Sequence, residues 1–98
     1  MANPKYKMIL VLFLMYPGGN LTLKREIILP FIPPKKLWLE LSTDEEDEDD
    51  IVFVKDIKYN IVLDLFEIFC DELTYLNKEN AEKDSLYYIN TLNFNRTK

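Results

Sequence analysis

The sequence predicts an α+β fold: a small antiparallel β-sheet of four to five strands, meander-like, with one C-terminal helix. Hydrophobic residues make up 48% of the 98 residues and aromatic residues 13%, which suffices for one core. One continuous apolar run and three alternating segments within the first sixty residues predict strands, and the segment near the C-terminus has approximate helical spacing. No repeat or Gly/Ser linker divides the chain, so residues 1–98 are expected to form a single small domain.

The first two strands are predicted to form a hairpin. Met8–Tyr16 is a continuous apolar run, typical of a central strand covered on both faces. The cluster Pro17–Asn20 is a strong turn signal. Beyond it, alternate residues of the second strand are apolar up to Pro30, and Arg25 is the one polar residue on the apolar side.

Two further strands flank an acidic segment. Residues 37–41 alternate as a short strand, and residues 43–50 are expected to be a solvated acidic loop, because adjacent like charges repel. A strand over residues 51–59 follows. Its predicted inward residues, interrupted by Lys55, are Ile51, Phe53, Ile57 and Tyr59.

Residues 60–76 fit two structures. As a helix, the segment has a polar stripe and Asn60 as N-cap. As the second arm of a hairpin, it directs Phe66, Ile68 and Cys70 inward after a turn near residues 60–64. Strand propensities favour the hairpin by a small margin.

The last segment predicts a helix. Residues 77–80 read as a loop, and the helix is expected to begin near Ala81 or Asp84. Its expected helical spacing runs through Leu86, Ile89, Asn90 and Leu92. Asn93 suits the left-handed conformation that ends a helix, with Phe94 making the apolar contact that accompanies such an ending. Residues 95–98 are expected to be a flexible tail.

The composition argues against enzymatic, cofactor and metal chemistry. The chain contains no histidine, one cysteine, two serines and two adjacent glycines. Histidine-based triads, structural zinc sites and phosphate-binding loops are therefore excluded, and we expect no catalytic, cofactor-binding or metal residues. A single cysteine, Cys70, fits a reducing compartment, so a cytoplasmic location is expected.

Charge and one tryptophan supply the functional hypothesis. The chain has a net charge of −5, with 17 acids and 12 bases, but the body without the acidic run carries +2. We expect a small non-enzymatic protein that binds another protein through its sheet edge or face, and the acidic run would select a partner with a basic surface. The candidate contact residues are Trp38, Asp44, Glu45, Glu46, Asp47, Glu48, Asp49 and Asp50.

The alternative function is an acidic inhibitor that mimics nucleic acid at a basic binding site, since seven consecutive acids can approach the spacing of phosphates. Direct nucleic-acid binding and membrane association are not expected. The sequence leaves the oligomeric state open.

Overall fold

The computed structural model describes residues 5–41 and 51–97, and within them the fold is α+β, with one sheet and one helix near the C-terminus. This confirms the predicted class. In chain order the elements are β1 (Tyr6–Tyr16), β2 (Gly19–Leu29), β3 (Trp38–Glu40), β4 (Ile51–Asn60), β5 (Leu65–Cys70), β6 (Leu73–Thr74), α1 (Lys78–Thr91) and β7 (Asn95–Thr97).

The sheet is larger than predicted, and it is mixed rather than antiparallel. The strand order is β3-β4-β5-β1-β2-β7, with β6 also paired to β1. β1 pairs in parallel with β5, in a register that sets Leu10 against Ile68, and β6 continues that parallel pairing. The prediction of four or five antiparallel strands is therefore wrong in number and direction. Two antiparallel hairpins, β1–β2 and β4–β5, lie side by side, and local patterns carry no signal for how hairpins associate.

The β1–β2 hairpin forms as predicted, with β1 in the interior of the sheet. Tyr16 pairs with Gly19, so the turn consists of Pro17 and Gly18. Proline fixes φ at the first turn position, and Gly18 takes φ +93° at the second, a conformation that a side chain would strain.

The core lies on one face of the sheet, called here the inner face, against which α1 packs. Alternate residues of β1 from Met8 to Leu14 are buried there. On the opposite, outer face Val11 is buried, but Ile9, Phe13 and Met15 are only partly buried. The predicted coverage of β1 is thus complete on one face only. The buried core cluster comprises Met8, Leu10, Leu12, Leu14, Leu21, Leu23, Val52, Val54, Ile68, Cys70, Ala81, Tyr88, Leu92 and Phe94.

A β-bulge explains the irregular pattern of β4. The register with β5 shifts between Val54 and Asp56, leaving Lys55 unpaired. Before the bulge, Val52 and Val54 are buried, whereas Ile51 and Phe53 were predicted to face inward; the prediction is wrong for that half of the strand. Beyond it, the extra residue reverses the alternation, and Ile57 pairs with Ile68 on the inner face.

Residues 60–70 resolve the ambiguity in favour of the hairpin. β4 and β5 are joined by a turn over residues 61–64, and Asp64 takes a positive φ of 55°. The Asn60 side chain accepts a hydrogen bond from the Leu63 backbone N–H at 3.0 Å, so it organises a turn rather than a helix start.

The helix begins earlier than predicted. Asn77 is its N-cap, and its side-chain oxygen accepts a hydrogen bond from the Asn80 N–H at 2.8 Å. The buried stripe consists of Ala81, Ser85, Tyr88 and Leu92, whereas Leu86, which was assigned to the predicted stripe, is exposed. The sequence did not indicate this start, because the side chains of the first turn, Lys78, Glu79 and Asn80, are polar and exposed and add nothing to the apolar pattern.

The C-terminal end of the helix forms as predicted, but the tail does not. Asn93 has φ 61°, and Phe94 is buried against Tyr88 with ring centroids 5.7 Å apart. Asn95–Thr97 form β7, which pairs with Thr22–Lys24 of β2 instead of fraying. Three residues are too few to show a strand pattern in the sequence.

Candidate functional site

Trp38 lies on β3, which ends the sheet on one side. Its side chain is 60% exposed, and its ring packs on Phe53 of β4 with centroids 4.9 Å apart. Ile51 is exposed on the same strand pair. A cleft of about 250 Å³, lined by these three side chains, reaches Leu12 and Tyr88 of the core. The tryptophan predicted as a contact residue is thus accessible to solvent, and its ring packs against Phe53.

The acidic residues predicted with Trp38 lie outside the described residues. The described chain stops at Leu41 and resumes at Ile51. Glu40 pairs with Ile51 across β3 and β4, so the run joins two adjacent strands at the edge that carries Trp38. The contacts of the run with the rest of the site remain a prediction.

A groove lies between β2 and β3. Residues 39–41 and residues 25–29 of β2 line it together. The groove is open to solvent and has a volume of about 520 Å³, and Leu10 contributes to its wall. We call this space the β2–β3 groove. No ladder closes it within the described residues, because β3 pairs with β4 and β2 with β1 and β7.

Arg25 is the one charged side chain of β2 on the inner face. It pairs with Leu10, so its side chain points toward the groove rather than toward the outer face. Its Nη1 donates to the Leu41 carbonyl at 3.5 Å, at the limit of a hydrogen bond. Among the described residues no carboxylate forms an ion pair with it. The break in alternation seen in the sequence therefore marks a guanidinium in an apolar groove.

Both strands that border the groove present main-chain groups to it. β7 covers β2 only at Thr22–Lys24. The Thr22 carbonyl accepts a hydrogen bond from the Thr97 hydroxyl, so the main-chain groups of Thr22 point away from β1. Main-chain groups alternate in direction along a strand, so those of Glu26 and Ile28 also point away from β1, beyond the part of β2 that β7 covers. Just before β3, the Leu37 carbonyl accepts a hydrogen bond from the Val54 N–H of β4. The main-chain groups of Trp38 and Glu40, which alternate with it, therefore point away from β4. The groove thus has a hydrogen-bonding edge on each side.

A second exposed apolar surface lies at the β4–β5 turn. Ile61, Val62 and Leu63 are 83%, 92% and 56% exposed. The polar residues around them are satisfied locally, since Tyr59 hydroxyl donates to the Asp64 carboxylate and Asn60 holds the turn. The bond to Asp64 is the main cause that raises the pKa of Tyr59 above its ordinary value. This turn directs three aliphatic side chains into solvent.

Two ionisable side chains inside the fold, Cys70 and Tyr75, have pKa values that are raised mainly by burial. Burial is the main cause that raises the pKa of Cys70 to about 12, so its thiol is protonated and unreactive at neutral pH. Burial, with a hydrogen bond from the Tyr75 hydroxyl to Asp84, raises the pKa of that tyrosine. Residues 5–41 and 51–97 contain no cluster of three metal-ligating side chains.

Comparison with known proteins adds no relative. The chain matches no protein-family model, no curated protein and no solved structure. The fourteen-residue helix of the described chain is too short to cross a membrane.

The sequence drew attention to Trp38 and to Arg25, but it gave no indication of the groove, and the exposed apolar surface of the β4–β5 turn was not predicted. The groove depends on where β3 lies relative to β2, which is a property of the whole sheet. The turn had a visible signal: Ile61, Val62 and Leu63 stand between the turn-forming residues Asn60 and Asp64. Apolar residues inside a tight turn have no neighbouring element to cover them.

Proposed function

We propose that this is a small, non-enzymatic cytoplasmic protein that binds another protein through its sheet edge, at the β2–β3 groove. The observation that carries the proposal is that two main-chain edges border one apolar groove without a ladder between them in the described chain. Open edges are the sites at which proteins accept an added strand, and most natural sheets cover or shorten them.

Trp38 supports the same surface. Tryptophan is enriched among residues that dominate binding energies, and here it stands on the outer side of the strand that borders the groove. A partner that adds a strand to β3 would contact this ring. The acidic residues that follow β3 in the sequence would favour a partner whose surrounding surface is basic.

The test begins with affinity capture from the native cell and identification of the partner by mass spectrometry. The purified partner is then titrated against Glu40→Pro, Glu40→Ala and Trp38→Ala. Proline removes the edge N–H that alanine keeps, so Glu40→Pro should weaken binding at least tenfold beyond Glu40→Ala. Trp38→Ala should weaken it by roughly tenfold to a hundredfold.

A variant with Gly/Ser in place of residues 44–50 separates the edge proposal from nucleic-acid mimicry. Strand addition predicts a small loss of affinity and a weak dependence on salt. Mimicry predicts that binding disappears with the acids and falls steeply with salt. If binding tolerates both Glu40→Pro and Trp38→Ala, the proposal that the partner uses this edge is refuted.

A further inference from the structure

We propose that the β2–β3 groove accepts an extended peptide segment that carries an aspartate or glutamate, whose carboxylate pairs with Arg25. This inference rests on the proposed function, because it identifies the partner segment that the sheet edge would bind. It adds a sequence requirement that the edge alone does not impose.

The first argument is the unmet bonding capacity of Arg25. Its guanidinium is charged at all ordinary pH values and offers five N–H donors in a planar fork. The described chain supplies one long bond, from Nη1 to the Leu41 carbonyl. A carboxylate can accept two of the remaining donors side by side, which is the geometry that arginine binds best.

The second argument is the charge around the groove. Two carboxylates, Glu26 and Glu40, also line it, and they alternate with the inward residues of their strands. Glu26 is engaged on the outer side with Lys7 at 3.0 Å. On the inner face Arg25 therefore stands among the apolar side chains of Leu10, Ile27 and Leu39. An arriving strand would desolvate this charge, and such burial is tolerated when a partner charge arrives with it.

The third argument is the fit of a strand rather than a small acid. Residues 25–29 of β2 offer about 17 Å of edge, and β3 offers a second edge opposite. A side chain, not a ladder, bridges the gap between the two strands. The inserted strand would place alternate residues inward, with the acid at the level of Arg25, where the edge left free by β7 begins, and apolar residues at the levels of Ile27 and Leu29.

The test uses three fluorescein-labelled peptides and no natural partner. The first is Lys-Thr-Val-Thr-Val-Thr-Glu-amide, which as an antiparallel strand on residues 25–29 sets its Glu at the level of Arg25; the others carry Gln or Lys in place of that Glu. Fluorescence anisotropy measures their binding to the full chain and to the Arg25→Met and Arg25→Glu variants. Circular dichroism confirms that each variant is folded, and Arg25→Met keeps the test usable if Arg25→Glu is not.

The unmodified chain should bind the Glu peptide at least tenfold more tightly than the Lys peptide, with the Gln peptide between them. Arg25→Met should abolish this preference, and Arg25→Glu should reverse it. Equal binding of the three peptides by the unmodified chain would overturn the role of Arg25 while leaving edge binding intact. Binding of none of them would overturn the peptide-groove inference, whereas the proposed function is judged separately by the Glu40→Pro titration with the natural partner.

Discussion

Phe94 should be among the most costly residues to truncate, because its side chain is almost fully buried in the core cluster at the end of the helix. It is 1% exposed, packs edge-on against Tyr88 at an interplanar angle of 89°, and its N–H donates to the Tyr88 carbonyl at 3.1 Å. Phe94→Ala leaves a cavity at the point where the chain leaves α1 for β7. Buried phenylalanines typically lose about 3–5 kcal/mol on this change.

That loss is large against the whole stability of the domain. A chain of this length has an unfolding free energy of roughly 5–15 kcal/mol. Urea denaturation followed by circular dichroism should therefore show a midpoint far below that of the unmodified chain, and the melting temperature should fall by at least about 12 °C. Phe94→Leu should recover most of the loss.

Phe31→Ala is the matched control, because it removes the same side chain from a site that is 46% exposed. It should cost less than about 1 kcal/mol. A Phe94→Ala loss below about 1 kcal/mol, or one equal to that of Phe31→Ala, would refute the reasoning that Phe94 closes the core.

Three further predictions concern the helix and the buried ionisable groups. Asn77→Ala should lower the unfolding free energy by about 1 kcal/mol, and Asn77→Ser should not, because serine also caps the Asn80 N–H; equal effects in urea denaturation would contradict this. Cys70 should react with a thiol probe at pH 8 more than about a thousandfold slower in the folded chain than in urea, since burial raises its pKa to about 12 from 9.0; fast native labelling would show that the core opens. The raised pKa of Tyr75 means that the folded chain holds a proton that the unfolded chain releases above pH 10, so stability should fall from pH 10 upward. Tyr75→Phe should flatten that fall, and an unchanged pH profile would exclude the assignment.

Features carried by local patterns could be predicted from the sequence, and features carried by distant pairing could not. The apolar run of β1 and the Pro17-Gly18 turn identified the first hairpin, because both signals lie within a few residues. The parallel pairing of Leu10 with Ile68 has no such signal. The bulge at Lys55 is an intermediate case. The charged side chain of Lys55 interrupts the apolar alternation in the sequence, but the shift of register is visible only in the pairing of β4 with β5.

The same distinction applies to the candidate site. Trp38 was selected by residue type, and its position on the edge strand and its exposure became known only from the structure; its role in binding stays a prediction. Arg25 was visible as an exception on an apolar face, yet its meaning depended on β3 returning to within 3.5 Å of it. An arginine at an inward position of an alternating strand can thus be recognised in the sequence, but the groups near its guanidinium become known only with the structure.

The parallel register between β1 and β5 also has a consequence for how the chain folds. Both hairpins close over short loops, which takes microseconds, whereas Leu10 and Ile68 must meet although they lie 58 positions apart in the sequence. The rate-limiting step should therefore be the docking of two preformed hairpins, with refolding in milliseconds to seconds. Until they dock, each hairpin has a free strand edge. During synthesis the first hairpin leaves the ribosome well before its neighbour, which makes the unpaired side of β1 the segment most in need of protection from aggregation.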